Sequence, residues 1–266
     1  MTAPTADPHP SLRVTQDGPL LTVTLADPAQ RNAQTPSLWA ALAQVGESVP
    51  AEVRVVVLRG EGASFSAGLH RRMLAPGGMP GEPDLLADAA QAGEAFSDVI
   101  APFQRGFTVW ADVPAVVVAA VQGHAIGAGF QLALAADLRI VADDVQLAMR
   151  ETSLGMVPDL GGTGPLVQLV GYSRALEICA TGRFVGAAEA VASGLASAAV
   201  TAADLEAATA DLVAALLGTP EPALRELKPL LRRAVHAYPE EQLAAEREAQ
   251  ARLLSALGRS VASRRD

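Results

Sequence analysis

Hydrophobic and polar positions alternate in the first part of the chain in the way typical of β-strands. Residues 20–25 follow this pattern and stop at an Asp-Pro pair, which predicts a strand with one buried face. Residues 53–58 and 115–121 are almost entirely apolar, and such runs are typical of strands buried on both faces, as in parallel sheets. We also expect short strands at 138–141 and 145–149.

Helical spacing and turn signals separate these strands. Thr35 can cap a helix that starts at Pro36 and extends to about Ser48, because threonine accepts a hydrogen bond from the first helical turn and proline fits that turn. Residues 75–83 are rich in Gly and Pro and predict a mobile surface loop. A long helix is expected to follow at 85–110.

The apolar pattern of the second half of the chain is mainly helical. The helices expected there cover residues 130–136, 164–169, 173–181, 187–193 and 203–258, the last interrupted at Pro220 to Pro222 and at Pro239. Strands that alternate with helices predict an α/β fold. Because only helices are predicted after residue 200, we expect a sheet-containing core at 1–200 and a helical region at 201–266.

The composition limits the classes of protein to which the chain can belong. Of its 266 residues, 50% are hydrophobic and 18% are charged, which fits one large domain, alone or with a short appendage, and excludes a disordered protein. The formal net charge of −9 and the sequence pI of about 5.0 give no electrostatic footprint for nucleic acid or an anionic membrane. We therefore expect neither as a partner.

Other features predict a soluble, cytoplasmic protein. The longest apolar stretch, residues 113–121, is about half the length that a membrane-spanning helix requires, and residues 1–13 lack the pattern of a secretory signal. The single cysteine, Cys179, excludes an intrachain disulfide and suits a reducing compartment. Because it lies in an apolar helical pattern, we interpret it as an inert core thiol.

Two glycine-containing turns follow the buried strands, Gly127 to Gly129 and Phe65 to Gly68. A helix that starts after such a turn presents unpaired N–H groups and the positive end of its dipole, which suits a phosphate or a thioester oxygen that gains charge as an α-proton leaves. Leu132 occupies the position where a dinucleotide-binding GxGxxG motif requires glycine. Close packing of helix on sheet is the alternative interpretation of the first turn.

Short motifs occur along most of the chain. They are residues 27–33 (Asp-Pro-Ala-Gln-Arg-Asn-Ala), 55–60, 65–68 (Phe-Ser-Ala-Gly), 113–129, 154–163 (ending Gly-Gly-Thr), 181–183 (Thr-Gly-Arg) and 188–195. In sequence and in order these segments resemble the enoyl-CoA hydratase/isomerase (crotonase) superfamily. The resemblance implies a spiral of ββα turns and a C-terminal helical region that joins subunits into homotrimers, often paired into homohexamers.

The resemblance also implies a substrate and a set of site residues. The substrate is an acyl-CoA thioester; its coenzyme A enters as part of the substrate, and neither a resident cofactor nor a metal is expected. By motif position, the main-chain N–H groups of Leu69 and Ala128 form an oxyanion hole that stabilises an enolate. The residues expected to contact CoA are Gln30, Arg31, Ala67, Leu69, His70, Gly127 and Ala128. His70 replaces the aspartate usual in the family, and its alternative role is that of a surface or helix-capping histidine.

The choice of reaction depends on two positions that are carboxylates in the family's hydratases. They correspond to Gln131 and Glu151, which are twenty residues apart. Glu151 can remove and return a proton, whereas the amide of Gln131 has no useful pKa near neutrality. One carboxylate suffices to move a double bond, so the resemblance favours isomerisation over hydration. The alternative interpretation of Glu151 is a strand-end carboxylate paired with Arg150 or solvent.

Asp159 leaves the reaction open. It lies eight residues after Glu151, where the family's dienoyl-CoA isomerases also have an aspartate, and it is either a second acid or a turn or capping residue. The hypotheses are therefore an isomerase or a hydratase of fatty-acid or related acyl-CoA breakdown, with Glu151 as the acid and base, or a homologue that binds acyl-CoA without turnover. Another enolate reaction, such as thioester hydrolysis, decarboxylation or ring opening, remains a further alternative.

Overall fold

The computed structural model describes residues 7–262 of the chain, and side chains as far as residue 259. The ends of the two predicted regions, 1–6 and 263–266, lie outside the described residues, as does the start of the segment in which no signal was expected. The chain forms two compact units, with the boundary between Val213 and Ala214.

Eight strands in the described part of the chain form two sheets, both in the first unit. They are β1 (Leu12–Asp17), β2 (Leu20–Leu25), β3 (Val55–Gly60), β4 (Val116–Val121), β5 (His124–Ile126), β6 (Leu138–Ala142), β7 (Gln146–Ala148) and β8 (Ala198–Val200). One sheet has the order β1-β2-β3-β4-β6-β8, and β5 pairs with β7 in the other. The β1–β2 pair is antiparallel and the other strand pairs are parallel.

Ten α-helices alternate with or follow these strands within residues 7–262. They are α1 (Pro36–Glu47), α2 (Leu85–Ala92), α3 (Ser97–Asp112), α4 (Ala128–Ala135), α5 (Thr163–Val170), α6 (Tyr172–Thr181), α7 (Ala187–Ala192), α8 (Leu205–Gly218), α9 (Glu221–Ala234) and α10 (Pro239–Ala262). Short 3-10 turns lie at Pro28–Gln30, Arg71–Leu74, Gly93–Phe96 and Glu151–Leu154. No helix in this part of the chain is both long and apolar enough to span a bilayer.

The central strands of the large sheet are parallel and buried, as is usual for parallel strands whose crossover helices cover both faces of the sheet. All residues of β4 are buried, and in β3 only Arg59 is partly exposed. The two strands pair in register, with Val55 opposite Val116. Since parallel strands run in the same direction, the segments after β3 and β4 leave the sheet at the same edge. The two buried strands predicted from sequence are confirmed, although β3 lies two residues later than expected.

The structure corrects three parts of the predicted element order. The helix expected at 85–110 is interrupted at Gly93, whose φ of 56° is incompatible with a continuous helix. The helix expected from Phe130 begins two residues earlier, at Ala128. Strands β1, β5 and β8 were not predicted, because β1 is an edge strand that is mostly exposed and β5 and β8 have only three residues each. Most other predicted boundaries lie within two residues of those observed.

Helices α1 and α3 pack closely around a cluster of aromatic side chains. A Cβ atom added to Gly106 would lie 2.5 Å from the main-chain oxygen of Trp39, so the absence of a side chain permits the close approach. The Trp39 ring contacts Phe103 and Phe107 at centroid distances of 5.4 and 5.8 Å. Trp110 is fully buried and donates through Nε1 to the Gly106 carbonyl at 3.0 Å. Trp39 of α1 and the aromatic residues of α3 thus pack together in the hydrophobic core.

The loop at 75–83 is attached to the start of α1. Glu82 accepts hydrogen bonds from the main-chain N–H of Ser37 at 3.0 Å and from its hydroxyl group. The Nε2 atom of His9 lies 3.1 Å from the same hydroxyl oxygen. A carboxylate is favoured at a helix N-terminus by the unpaired N–H groups and the helix dipole. Through Glu82, the segment predicted to be a mobile loop is therefore hydrogen-bonded to the N-terminus of α1.

The second unit contains the end of α8 together with α9 and α10. Helices α9 and α10 are joined by an ion pair between Glu226 and Arg252 at 2.8 Å. The side chain of Gln242 also donates to the main-chain oxygen of Leu230 at 3.1 Å. Ala249 is buried in this unit. The predicted breaks near Pro220 and Pro239 correspond to the ends of these helices.

The turn between β4 and β5 provides a test of the close packing at the sheet edge. Gly123 has a φ of 52°, and a Cβ atom there would overlap the main-chain oxygen of Ala63. We expect Gly123→Ala to lower the free energy of unfolding by about 2–5 kcal/mol, since left-handed strain adds to overpacking. Gly18→Ala is the matched control, because Gly18 has a φ of 53° but open space around it. It is expected to cost only about 1–2 kcal/mol; equal losses in denaturant titrations would contradict the account.

Candidate active site

Two glycine-containing segments run side by side beyond β3 and β4. Ser66 and Ala125 form a parallel bridge, and the N–H of Ile126 donates to the Ser66 carbonyl at 3.0 Å. Further along, the two segments stay close, since a Cβ atom built on Gly68, the residue before Leu69, would lie 3.4 Å from the nitrogen of Ala128. The segments that carry the two predicted oxyanion donors therefore lie next to each other.

The main-chain N–H groups of Leu69 and Ala128 have no acceptor among the described residues. Leu69 is bridged to Gln34, which donates to the Gly68 carbonyl and accepts from the N–H of His70, both at 2.8 Å. The N–H of Leu69 therefore faces away from Gln34, because successive main-chain groups of an extended segment point to opposite sides. Ala128 is the first residue of α4, where an N–H has no partner within the helix. Both N–H groups can therefore donate a hydrogen bond to an external oxygen.

Glycine is necessary where these two segments approach each other. Gly68 has a φ of 83°, and a Cβ atom there would overlap the main-chain oxygen of Ile126 and lie 3.4 Å from the nitrogen of Ala128. A Cβ atom on Gly129 would likewise lie 2.9 Å from the Cβ atom of Ser66. Larger residues at either position would push the segments apart and separate the two amides.

A buried hydrogen-bond network supports the segment that carries Leu69. The side chain of Gln34 donates to the hydroxyl of Ser66 at 3.0 Å and accepts from Nε1 of Trp39 at 2.8 Å. The Ser66 hydroxyl donates in turn to the main-chain oxygen of Asn32 at 2.7 Å. Asn32, Gln34 and Ser66 were not predicted from the sequence as parts of the site. The signal that could have found them is a set of polar residues flanking two motifs that fold together.

The predicted CoA-contact residues Gln30, Arg31 and Ala67 are neighbours in space. Gln30 and Arg31 lie in an exposed turn, and the N–H of Ala67 donates to the Arg31 carbonyl at 2.8 Å. Asn32 holds this turn, because its buried amide donates to two main-chain oxygens of the 61–64 turn at 2.9 and 2.8 Å. Arg31 and Asn32 both have positive φ, 52° and 54°, a conformation that these hydrogen bonds stabilise.

Glu151 lies beside the glycine turn that leads to Ala128. The residue is only 9% exposed, and its Oε1 accepts a hydrogen bond from Nε2 of Gln131 at 2.8 Å. A Cβ atom on Gly127 would lie 3.2 Å from the same oxygen. Arg150 instead donates to a main-chain carbonyl at 3.2 Å, so Glu151 is not paired with it. The structure thus brings together the two positions that the sequence analysis associated with acid and base chemistry.

The environment of Glu151 favours its neutral form. Burial raises the pKa of Glu151 above its ordinary value, while the hydrogen bond from Gln131 lowers it in part. The charge of Asp159 raises the pKa of Glu151 further. Burial also raises the pKa of Asp159. Two nearby carboxyl groups with raised proton affinity are an arrangement found in acid–base sites.

His70 and Cys179 each accept a hydrogen bond from a nearby residue. The Nδ1 atom of His70 accepts from the main-chain N–H of Arg72 at 3.3 Å, at the start of the 3-10 turn that follows. This contact is the one expected from the helix-capping interpretation of His70. Cys179 is partly buried, its main-chain oxygen accepts from the Thr152 hydroxyl at 2.5 Å, and burial raises the pKa of its thiol. A raised thiol pKa disfavours the reactive thiolate.

Comparison with known proteins identifies the family. The family model described as enoyl-CoA hydratase/isomerase matches residues 15–263, nearly the whole chain. The chain belongs to this family. A carnitinyl-CoA dehydratase from Salmonella typhi is 32% identical over 228 residues, which cover 84% of this chain and 80% of the relative. The superfamily membership inferred from the ordered motifs is therefore confirmed.

Solved structures of family members have the same fold. A Thermobifida fusca YX protein assigned as an enoyl-CoA hydratase, in complex with acetoacetyl-CoA, is 45% identical and superimposes with a TM-score of 0.90, covering 96% of this chain and 100% of that one. An enoyl-CoA hydratase from Polaromonas sp. JS666 is 30% identical with a TM-score of 0.82, covering 95% of both chains. These similarities confirm the α/β crotonase fold with C-terminal helices.

The raised pKa of Glu151 predicts a pH-dependent cost to stability. Because its pKa in the folded state exceeds that in the unfolded state, ionised Glu151 destabilises the fold as pH rises through the folded-state pKa. We expect Glu151→Gln to raise the melting temperature at about pH 8 more than at about pH 4.

Glu189→Gln is the control of opposite sign in the same melting experiment. The Arg183 hydrogen bond lowers the pKa of Glu189, so its stabilising contribution is present at high pH and lost as pH falls. This variant should be destabilised at about pH 8 and little changed in acid. A uniform change across pH in Glu151→Gln would contradict the assignment of a buried, destabilised carboxylate.

Proposed function

We propose that this chain binds an acyl-CoA thioester and moves a double bond from the 3-position to the 2-position of the acyl group. The observation that carries this proposal is one buried carboxylate, Glu151, hydrogen-bonded to an amide, Gln131, beside two unpaired main-chain N–H groups. The complexes of the Thermobifida fusca relative with CoA and acetoacetyl-CoA support the substrate class.

The reaction begins with removal of an α-proton. Glu151 takes the proton from C2, and the electron pair of the broken C–H bond moves towards the thioester carbonyl to give a dienolate. The N–H groups of Leu69 and Ala128 donate to the carbonyl oxygen, whose negative charge grows in this step; such donors each typically contribute about 2.7–4 kcal/mol of transition-state stabilisation. Glu151 then returns the proton to C4, which leaves the double bond between C2 and C3.

The Gln131 amide favours this reaction over hydration. Adding water requires one group to activate the water and one to transfer the α-proton, whereas isomerisation needs a single base that moves one proton between two carbons. Gln131 cannot take a proton near neutrality. The buried setting of Glu151 suits the single-base reaction, because a raised pKa lets the same group remove and return the proton.

Hydration of a 2-enoyl-CoA is the alternative, and Asp159 is the observation that favours it. Asp159 is close enough to Glu151 for its charge to raise the pKa of that residue, and its own pKa is raised by burial. A second carboxyl group of this kind could activate water. The named dehydratase and hydratase relatives also support this alternative.

Purified protein with a 3-enoyl-CoA, and separately with a 2-enoyl-CoA, distinguishes the two reactions. We expect formation of 2-enoyl-CoA from the first substrate to exceed water addition to the second. Glu151→Gln should lower the isomerisation kcat by about 10²–10⁴-fold, because the base is removed. Asp159→Asn should leave isomerisation largely intact and abolish any hydration.

Glu206→Gln is the control for this experiment, because Glu206 is highly exposed and pairs only loosely with Arg59 at 3.8 Å. It should leave both rates unchanged. Water addition that dominates in the wild type and requires Asp159 would replace the isomerase proposal with the hydratase. Acyl-CoA binding without any exchange of the α-proton for solvent deuterium would instead indicate a binding homologue.

We also propose that the protein assembles into a homotrimer or homohexamer through its C-terminal region. Helix α9 exposes Leu227 and Leu231, and Val235 follows directly after its last residue; 47%, 61% and 50% of their surface is accessible. Residues spaced four apart lie on one face of a helix, so these side chains form a continuous apolar stripe. Exposed apolar stripes of this kind are typical of protein–protein interfaces.

Native mass spectrometry of Leu231→Glu tests this assembly. A charge in the middle of the stripe should shift the protein from an oligomer towards the monomer, since an unpaired carboxylate is costly to bury. Leu86→Glu is the matched control, because Leu86 is an exposed leucine of α2 outside the stripe. A monomeric wild type, or an oligomer unaffected by Leu231→Glu, would contradict the proposed interface.

A further inference from the structure

Three hydrogen bonds fix the orientation of the Gln131 side-chain amide. Its Oε1 accepts hydrogen bonds from the main-chain N–H groups of Leu160 at 2.9 Å and Gly162 at 3.2 Å. Its Nε2 donates to Oε1 of Glu151 at 2.8 Å. A reversed amide would direct its NH₂ group at two N–H donors, so only one orientation satisfies the site. Gln131 is only 1% exposed, so the hydrogen bonds lost in a reversed amide would not be replaced by bulk solvent.

The two oxygens of Glu151 therefore have different environments. Oε1 accepts the hydrogen bond from Gln131, whereas Oε2 is buried and has no hydrogen-bond partner among the described residues. A buried polar atom without a partner is rare in proteins and is often functional. An oxygen that accepts no hydrogen bond keeps its full basicity, so Oε2 is the better proton acceptor of the pair.

Close packing keeps the pair in this arrangement. A Cβ atom on Gly162 would lie 2.7 Å from Cγ of Gln131, and one on Gly127 would lie 3.2 Å from Oε1 of Glu151. The backbone thus encloses both side chains where they meet. There is little space for either residue to adopt another rotamer.

We propose that Gln131 is a positioning residue that binds Oε1 of Glu151 and thereby makes Oε2 the atom that takes and returns the substrate proton. The proton step rests on the function proposed above. Gln131 itself exchanges no proton; it acts through Glu151. Its amide also joins the base to the 160–162 segment, so that α4, the Glu151 turn and that segment hold the carboxylate together.

The proposal predicts how Glu151 responds when the donor is lost. The hydrogen bond from Gln131 lowers the pKa of Glu151 and therefore opposes the effect of burial. Asp159 and Cys179 are the other titratable groups that interact electrostatically with Glu151. The Arg150 side chain donates to the main-chain oxygen of Gly182 instead. Removing the amide donor leaves these groups in place, so the proton affinity of Glu151 should rise.

Two substitutions separate the donor from the acceptor of this amide. Gln131→Met removes both, at similar volume. Gln131→Glu keeps an oxygen for the N–H groups of Leu160 and Gly162 but replaces the donor with a second carboxylate. Two carboxylates at this distance must share a proton, so this variant retains the structural contacts and should shift the titration of the pair furthest upward.

Gln104→Met is the matched control. Gln104 donates to the main-chain oxygen of Asp159 at 2.7 Å, so its loss also removes one hydrogen bond to the segment near Asp159 without touching Glu151. The titration midpoint of Glu151 is expected to stay at the wild-type value in this variant.

Carboxyl ¹³C NMR of glutamate-labelled protein measures the predicted shift directly. The Glu151 signal is identified by its absence from Glu151→Gln. We expect its titration midpoint to move upward in Gln131→Met and in Gln131→Glu, and to be unchanged in Gln104→Met. Equal midpoints in the wild type and both Gln131 variants would overturn the proposal. A shift of the same size in Gln104→Met would also overturn it, because the effect would then come from general loosening of that segment.

The pH profile of the isomerase reaction supplies the second readout. In Gln131→Met the acid limb of kcat/KM should move to higher pH, and kcat should fall about tenfold or more, while KM for the acyl-CoA changes little. An unchanged profile beside a shifted NMR titration would overturn the claim that Gln131 acts on the reacting group. If the wild type fails to exchange the α-proton but the NMR shift is present, the proposed function is wrong and Gln131 still holds Glu151.

Discussion

The site depends on the register between the two segments that follow β3 and β4. The bridge between Ser66 and Ala125 aligns the segments that lead to Leu69 and Ala128, and a slip of one residue would change which main-chain groups of the two segments meet. Glycine at 68 permits the close approach, and the buried side chains of Gln34 and Ser66 support it. The proposed oxyanion hole thus depends on backbone packing, so its donor residues can differ in side chain.

The proposed base, Glu151, is held by a side-chain hydrogen bond from Gln131. Burial disfavours the ionised form of Glu151. The fold therefore keeps this carboxylate at a cost to its own stability. Gln131 limits that cost by donating one hydrogen bond, and its own oxygen is satisfied by two main-chain donors. Oε2 of Glu151 is the atom of this network that lacks a hydrogen-bond partner, and it is the proton acceptor in the proposed reaction.

Much of this arrangement could be predicted from the sequence, because glycine turns after apolar strands and the ordered motifs are local signals. The buried strands and the start of α1 at Pro36 were found in this way. Edge strand β1 was missed because its exposed residues give little apolar contrast, and the break at Gly93 was missed because a single glycine is tolerated in many helices. Contacts between distant segments, such as Gln131 with Gly162, carry no local signal, so the amide's role required coordinates.

The central claim is that two main-chain amides bind one thioester oxygen. A crystal structure of the protein with a non-reactive acyl-CoA analogue tests it most directly. The account predicts that the carbonyl oxygen lies within about 2.7–3.1 Å of the nitrogen atoms of both Leu69 and Ala128, with Oε2 of Glu151 facing the α-carbon. A carbonyl oxygen that bonds neither amide, or an acyl group bound away from Glu151, would contradict it.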